Sequence, residues 1–275
     1  MSRTLKIALI QLAVGAKKAV NLARAHGKVM DAARAGASLV VLPECFNSPY
    51  GTQFFKEYSE VIDSANPGES MKALSNMAKE ANVFLVGGSI PEKVSDADKL
   101  YNTCTVWNQN GEMIAKHRKV HLFDIDIPGK IRFQESEVLS PGNELTQFET
   151  PWGKIGVGIC YDIRFPEMAS IAAQSGCKAM IYPGAFNMTT GPLHWELLAR
   201  ARAVDNQMFV AACSPARDMS ASYHAWGHSS VVDPFARVIA KADYGVIEDV
   251  RSSIPISSQR RSDLYTSASL INKSN

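Results

Sequence analysis

Apolar, strand-like runs alternate with helical stretches along this chain, and the same order occurs in both halves. The first half begins with a strand over 5–12, an alanine-rich helix over 20–35 that Gly36 ends, and a strand over 38–42. The second half repeats the order with a strand over 155–160, a helix over 166–175 and a strand over 178–182. Parallel strands are joined by crossovers of this kind. Two such halves predict an α/β protein with layered sheets and helices on the outside.

Periodicity and turn residues predict the remaining elements. They are a helix over 71–80, a strand over 83–89, a hairpin formed by 101–107 and 112–116, a helix over 193–206, a strand over 208–213, and a final hairpin around Asp233 and Pro234. At 275 residues, an α/β chain commonly forms one domain, which we expect here.

Charge and cysteine usage limit the classes of function. The chain has 29 Lys and Arg against 27 Asp and Glu, and a formal net charge of +2 does not predict a nucleic-acid-binding surface. Five widely spaced cysteines indicate thiols in a reducing compartment. We therefore expect a cytoplasmic protein, with entry into mitochondria left open. No apolar run has the length that spans a bilayer.

Cys160 carries the strongest chemical signal. It closes the apolar run Ile155–Ile159 and opens a turn that leads to Pro166. A side chain at such a junction is presented at the edge of a sheet, as hydrolase nucleophiles are. A lone cysteine after an apolar strand is more commonly a core residue, so its neighbours must decide.

Two other polar residues end similar segments. Glu44 follows the buried run Leu39–Pro43, where a carboxylate is costly unless it is exposed, paired or functional. Lys119 lies in the basic stretch Lys116–Phe123, for which a solvated edge strand is the simpler interpretation. A cysteine nucleophile, however, needs a cation that lowers its pKa and a donor for the developing oxyanion. Glu44 is therefore the candidate base and Lys119 the candidate cation.

These residues and their neighbours resemble the carbon–nitrogen hydrolases of the nitrilase superfamily. That family carries a Glu-Lys-Cys triad, and the matching segments here are Leu42–Glu44, His117–Lys119 and Gly158–Glu167, in family order. A further family glutamate corresponds to Glu135. Within the superfamily the chain is most similar to the omega-amidases, through Pro43–Gly51, His121–Lys130 and Tyr182–Trp195.

The resemblance implies a fold, a reaction and an assembly. The implied fold is a four-layer αββα sandwich, formed by a single carbon–nitrogen hydrolase domain over residues 1–275 with a C-terminal extension from about residue 255. The implied reaction is hydrolysis of the terminal amide of alpha-ketoglutaramate or alpha-ketosuccinamate to the 2-oxo dicarboxylic acid and ammonia. The implied assembly is a homodimer in which helix layers pair across subunits.

The side chains predict a mechanism with a covalent intermediate. Glu44 accepts the thiol proton, and Cys160 attacks the amide carbonyl to give an oxyanion held by Lys119 and the backbone N–H of Tyr161. Glu44 then protonates the leaving ammonia and activates the water that opens the thioester. Glu135 is expected to hold that water or the lysine.

The far end of such a substrate carries a carboxylate. Arg164 is the first candidate to bind it, because a guanidinium binds carboxylates bidentately. A structural ion pair with Asp162 or Glu167 is an alternative of equal weight. Further pocket candidates, whose alternative is an ordinary surface loop, are Tyr50, Phe186, Thr189 and Thr190.

No metal site or cofactor is predicted. His117 and His121 lie four apart, as do His224 and His228, but neither pair has the glutamate of a zinc-hydrolase motif. No phosphate-binding glycine loop occurs. The expected partner is a small-molecule omega-amide of a 2-oxo acid, with no nucleic acid and no membrane.

Alternatives and departures remain. The same triad serves deaminated glutathione, N-carbamoyl and nitrile substrates in other branches, and a non-catalytic binding protein on the same fold is an alternative of another class. About a dozen residues of the family pattern, or two strand lengths, are absent after Ala242, which puts C-terminal packing in question. Ala236 stands where the family favours glycine.

Overall fold

Sixteen strands and five α-helices make up the computed structural model, counted over residues 4–94, 99–127, 131–239 and 242–243, which are the residues it describes. The strands are β1 (Thr4–Leu5), β2 (Ile7–Leu9), β3 (Leu39–Val41), β4 (Phe84–Val86), β5 (Ile90–Lys93), β6 (Leu100–Trp107), β7 (Met113–Arg118), β8 (Asp124–Ile127), β9 (Ile131–Gln134), β10 (Thr146–Phe148), β11 (Ile155–Val157), β12 (Ala179–Pro183), β13 (Phe209–Cys213), β14 (Ser230–Val232), β15 (Val238–Ile239) and β16 (Ala242–Asp243). The helices are α1 (Lys18–Arg34), α2 (Thr52–Tyr58), α3 (Glu69–Ala81), α4 (Pro166–Gln174) and α5 (Gly191–Asn206). Short 3₁₀ turns span Glu135–Glu137 and Cys160–Arg164.

Two six-stranded sheets organise these elements. The first has the order β2-β3-β4-β6-β5, with β7 paired to the other edge of β6; the second runs β10 to β15 in chain order. Strands β2, β3 and β4 are parallel, as are β11, β12 and β13. Helices α1 and α3 connect the first parallel set, and α4 and α5 connect the second. Each half is therefore a repeated βαβ unit, as the sequence predicts.

The sheets pack face to face because alternate side chains of a strand point to opposite faces. In β3, Leu39 and Val41 join the central core with Ile155 and Val157 of the second sheet. Val40, between them, joins a separate core under α1 and α3. One strand thus belongs to both cores, and the first sheet is buried on both faces.

Helices cover the outer face of each sheet. Helix α1 buries Ala25, Val29 and Ala32, and α3 buries residues at the same helical spacing, against the first sheet. On the other side, α4 and α5 contribute Ala169 and Ala199 to the core of the second sheet. The layers are helix, sheet, sheet and helix, which confirms the αββα prediction. Of the described helices, none combines the length and the apolar character that crossing a bilayer requires.

The four long helices begin and end within two residues of their predicted bounds. The predicted strand over 155–160 is shorter, because the chain leaves the sheet after Val157 and turns at Cys160. The run over 5–12 is divided between β1, which pairs with β16, and β2, which pairs with β3. Helix α2 and the strands β5, β8, β9 and β10 were not predicted, since short elements carry little periodicity.

The C-terminal predictions lie mostly beyond the described part of the chain. The extension from about residue 255 is outside it, and so is most of the segment after Ala242 where the family pattern is shortened.

Ala236 has a backbone conformation that explains why glycine is favoured at this position. It lies in the turn between β14 and β15 with φ at 65°. Its N–H donates to the Asp233 carbonyl at 2.9 Å, which fixes the turn. A left-handed conformation costs a non-glycine residue about 1–2 kcal/mol.

We expect Ala236→Gly to increase the free energy of unfolding by about 0.5–1 kcal/mol, because relief of the left-handed strain exceeds the added entropy of the unfolded chain. Thermal denaturation should show a midpoint about 2 °C higher. The matched control is Ala201→Gly within α5, which should lower stability by about 1 kcal/mol. Equal effects of the two substitutions would contradict the strain argument.

Candidate active site

Four of the predicted residues meet at the carboxyl ends of strands from the two large sheets and from the separate β8–β9 pair. Glu44 follows β3, Lys119 follows β7, Glu135 follows β9, and Cys160 follows β11. The Lys119 Nζ lies 3.0 Å from Glu44 Oε1 and 2.9 Å from Glu135 Oε1. Lys119 and Glu135 are 0% exposed, Glu44 1% and Cys160 5%. The structure therefore brings together, in the interior, residues that are up to 116 positions apart in the sequence.

Burial of Lys119 decides between the two interpretations of its basic stretch. A solvated edge strand would expose this side chain, whereas the structure encloses it between two carboxylates. Burial alone would lower the pKa of Lys119, but the charges of Glu135 and Glu44 outweigh it and raise the pKa well above its usual value. The lysine remains a cation, and the interpretation of Lys119 as part of a solvated edge strand was wrong.

The two carboxylates differ in their hydrogen bonds. Glu135 accepts the Tyr50 hydroxyl at Oε1 and the Phe123 N–H at Oε2, both at 2.8 Å, in addition to Lys119. Glu44 Oε1 accepts Asn102 Nδ2 at 2.8 Å as well as Lys119.

The fourth oxygen of the two carboxylates is Glu44 Oε2. It is buried and receives no N–H or O–H hydrogen bond from the described residues, and the carboxylate lies within hydrogen-bonding reach of the Cys160 thiol. Burial raises the pKa of Glu44, and the attraction of Lys119 offsets this only in part. A carboxylate with a raised pKa and an unused oxygen is suited to proton transfer. Glu44 is therefore the better base, and Glu135 is held in place by its donors.

The turn at Cys160 fixes the thiol in a strained backbone conformation. Cys160 has φ at 48°, in the left-handed region, and begins the 3₁₀ turn. The N–H of Ala185 points at its Sγ at 3.4 Å. A Cβ on Gly184 would lie 3.3 Å from the Cys160 Cα and 3.0 Å from a ring carbon of Trp195, so glycine permits this close approach. Strain of this kind is concentrated at functional sites.

Asp162 ties the nucleophile turn to the Lys119 segment. Its Oδ2 accepts the Ile159 N–H at 2.8 Å and lies 3.1 Å from His117 Nε2, while Oδ1 lies 2.8 Å from His121 Nδ1. Burial would raise the pKa of Asp162, but hydrogen bonds from His117 and His121 dominate and lower it strongly. The carboxylate stays ionised, and it uses the two histidines that the sequence offered as a pair. No group of acidic, histidine or cysteine residues in the described ranges is arranged to hold a metal ion.

The thiol pKa differs from the expectation. Lys119 was expected to lower it, but burial and the Glu44 charge raise the pKa of Cys160 well above the usual range, and Lys119 with the Ala185 N–H only counteracts them. Burial is the larger cause, and the negative charge of Glu44 adds to it, so the anionic form of the thiol is disfavoured. Cys160 rests as a thiol and needs the base at the moment of attack.

A cavity extends from Cys160 to Arg164. It is lined by Phe123, Cys160, Tyr161, Arg164, Ala185, Phe186, Asn187, Thr190 and Tyr223. Phe186 and Thr190 lie where a pocket was predicted. Thr189 is exposed and does not line the cavity, because its N–H donates to Asn187 Oδ1 and turns the residue outward. Tyr50 does not line it either, because its hydroxyl is engaged by Glu135.

Arg164 has no carboxylate partner among the residues that the structure describes. The alternative ion pair with Asp162 or Glu167 is wrong: Asp162 is occupied by the histidines, and Glu167 forms no described ion pair. Instead, Arg164 Nη1 lies 3.3 Å from His194 Nδ1, and the guanidinium lies 4.9 Å from the centre of the Phe186 ring. Its Nε is buried without a partner, and burial lowers the pKa of Arg164.

The predicted oxyanion donor is the backbone N–H of Tyr161. This N–H donates to no acceptor within the described ranges.

Sequence reasoning missed Asn102, His194 and Tyr223. Asn102 lies in a regular strand and Tyr223 in a loop without periodicity, so neither carried a signal before the fold was known.

Comparisons with known proteins agree with this geometry. A family model described as carbon–nitrogen hydrolase matches residues 6–249. Omega-amidase NIT2 of Danio rerio is 60% identical over 272 residues, covering 95% of this chain and 96% of that protein. Omega-amidase NIT2 of Homo sapiens is 55% identical over 271 residues, covering 94% and 96%. The crystal structure of Saccharomyces cerevisiae Nit3, a member of branch 10 of the nitrilase superfamily, superposes with a TM-score of 0.88 at 49% identity and covers 95% of this chain and 98% of that one.

We expect Glu44→Gln to lower the pKa of Cys160 while turnover is lost. The negative charge of Glu44 raises the thiol pKa. Its removal leaves the positive charge of Lys119 to favour the thiolate. Thiolate absorbance near 240 nm, with the Cys160→Ala spectrum subtracted, should therefore appear at lower pH than in the wild-type protein. An unchanged or higher titration point would contradict this charge balance.

Proposed function

This chain belongs to the carbon–nitrogen hydrolase family, and from that premise we propose that it is an omega-amidase acting on alpha-ketoglutaramate and alpha-ketosuccinamate. Relatives named omega-amidase are 55% and 60% identical over nearly the full length. The observation that carries the substrate assignment is Arg164, a cation without a carboxylate partner among the described residues, in the same cavity as the nucleophile. An omega-amide of a 2-oxo acid has its carboxylate at the end opposite to the amide.

Acylation begins with transfer of the thiol proton to Glu44. Cys160 Sγ attacks the amide carbonyl, and the resulting oxyanion accepts hydrogen bonds from the Tyr161 N–H and the Lys119 ammonium. The free Tyr161 N–H and the enforced charge of Lys119 support these roles. The C–N bond then breaks, Glu44 returns its proton to the nitrogen, and ammonia leaves.

Deacylation uses the same base. Glu44 takes a proton from water, the water oxygen attacks the thioester carbonyl, and the C–S bond breaks to give the carboxylate product. Glu135 fixes the lysine throughout, since it holds Nζ at 2.9 Å and is itself held by Tyr50 and Phe123. Tyr50 is therefore a positioning residue, and its expected contact with substrate is replaced by its contact with Glu135.

We also propose a homodimer formed through the outer helix layer of the second sheet. Leu193, Leu197 and Val204 lie along one side of α5 and are 66%, 61% and 41% exposed. Ile171 of α4 is exposed beside them on the same layer. An apolar stripe of this kind on a helix surface is typical of an association site.

A cytoplasmic location is part of the proposal. All five cysteines are free and buried in the structure, which supports a reducing compartment.

The substrate assignment predicts the effect of Arg164→Gln. Loss of a charged contact to the substrate carboxylate should raise the KM for alpha-ketoglutaramate about 10- to 100-fold, with a smaller change in kcat. A short aliphatic amide without a distal carboxylate should lose little. Ammonia release measured over both substrates separates the two cases, and equal losses on both would contradict a carboxylate-binding role.

Cys160→Ala serves as the inactive control in the same assay, because removal of the nucleophile abolishes turnover. Deaminated glutathione is the competing substrate. Preferential hydrolysis of deaminated glutathione by the wild-type protein would replace the omega-amidase assignment with the alternative amidase.

The dimer predicts that Leu197→Glu produces monomers, because burial of a charge in the apolar stripe opposes association. Light scattering after size-exclusion chromatography measures the mass directly. The matched control is Val20→Glu, which introduces the same charge at a 40% exposed apolar residue of α1 on the opposite helix layer. A dimer that persists in Leu197→Glu would exclude this interface.

A further inference from the structure

A second cavity meets the active site from the side of Glu44. It has a volume of about 50 Å³ and is lined by Val14, Glu44, Cys45, Ser48, Pro49, Tyr50, Ala185, Pro215, Ala216, Asp218, Ala221, Ser222, Tyr223 and Ala225. Arg164 and Cys160 are not part of its lining, whereas Ala185 and Tyr223 line both cavities. Glu44 therefore borders a second space beside the one that Cys160 and Arg164 line, and its carboxylate also lies within hydrogen-bonding reach of the Cys160 thiol.

Two buried oxygens of this cavity receive no N–H or O–H hydrogen bond in the part of the chain that the structure describes. They are Oε2 of Glu44 and Oγ of Ser48. Both residues are almost fully buried, at 1% and 0% exposed. A buried polar atom without a partner is destabilising, and a bound water molecule supplies the missing hydrogen bond. A carboxylate oxygen accepts from such a water, and a hydroxyl can accept or donate.

The cavity has room for water and a path to it. A single water molecule needs a volume of about 10–15 Å³. Measured in the same way, this cavity has a volume of about 50 Å³. Its lining includes the exposed residues Asp218 and Ser222 as well as the buried Glu44, and it does not include Arg164. Water that enters beside Asp218 and Ser222 would therefore reach the base without passing Arg164.

We propose that this cavity is the site of the hydrolytic water, and that Ser48 binds the water which Glu44 activates. The proposal rests on the proposed function, because it concerns the second half of the same reaction. An acyl chain that joins Cys160 to Arg164 fills the first cavity and closes that approach to the thioester. The Glu44 side is the face that stays open for the nucleophile.

The step balances with the groups named. Glu44 Oε2 takes one proton from the water while the water oxygen forms a bond to the thioester carbon. The carbon–sulfur bond then breaks, the Cys160 sulfur takes the proton from Glu44, and the 2-oxo dicarboxylic acid is released. Ser48 holds the water by one hydrogen bond and is unchanged at the end.

Ser48→Ala tests the proposal by separating the two half-reactions. With alpha-ketoglutaramate as substrate, rapid acid quench and intact-protein mass spectrometry follow the thioester on Cys160. We expect thioester formation to stay within about twofold of the wild-type rate and thioester decay to slow about tenfold, the loss typical of one hydrogen bond. The acylated fraction at steady state should rise accordingly.

The matched control is Ser230→Ala in β14. This serine also has a buried Oγ without a described hydrogen-bond partner, but it lines neither cavity. Thioester decay should match the wild-type rate in this variant. Equal decay rates in the two alanine variants, or equal losses in formation and decay in Ser48→Ala, would overturn the water site.

A second variant keeps the test decisive if Ser48→Ala does not fold. Ala221→Phe fills the cavity near its exposed end and leaves the Cys160 cavity untouched. It should slow thioester decay and spare thioester formation, and an unchanged decay rate would contradict the route. A wild-type protein that forms neither thioester nor ammonia would remove the substrate assignment and the water site together, whereas normal turnover with no effect at Ser48 removes the water site alone.

Discussion

The site depends on one buried positive charge. Lys119 has no exposed surface, and its ammonium is compensated only because Glu44 and Glu135 approach it from two other chain segments. Removal of either carboxylate would leave an unbalanced charge in a medium where charges are costly. The contacts therefore fix three segments, those after β3, β7 and β9, relative to one another. Burial in the same interior, together with the negative charge of Glu44, keeps the Cys160 thiol protonated.

Two glutamates that share one lysine have different chemistry because their other neighbours differ. Glu135 receives a tyrosine hydroxyl and a backbone N–H, so both oxygens are engaged. Glu44 receives one amide, from Asn102, and retains a buried oxygen that receives no N–H or O–H hydrogen bond from the described residues. The carboxylate with the raised pKa is the one suited to accept a proton, which supports Glu44 as the proposed base. The two glutamates differ because of the number of hydrogen bonds that each accepts and not because of their residue type.

Much of the fold and the reacting residues could be predicted from the sequence, because both depend on local patterns. Strand-like runs that end in a polar residue identified Glu44 and Cys160, and helical periodicity located the long helices. The environment of each group could not be predicted, since it depends on contacts between distant segments. Asn102, 58 residues from Glu44, gave no sign that it would hold the base. The raised thiol pKa follows from burial and from the nearby charge of Glu44, which only the folded chain brings together. Arg164 was ambiguous for the same reason: its ion pair could be excluded only once the partners of Asp162 were known.

Asp162 accepts hydrogen bonds from both sides of the catalytic arrangement. It binds the Ile159 N–H next to the nucleophile and the side chains of His117 and His121, which flank the lysine. Asp162 therefore links the segment of the sulfur directly to the segment of the ammonium, across the 40 residues of chain between them. The β8–β9 pair lies within that interval, and Glu135 follows it. Changes within β8 and β9 that keep the contact of Glu135 with Lys119 can therefore occur in evolution without moving the sulfur relative to the ammonium.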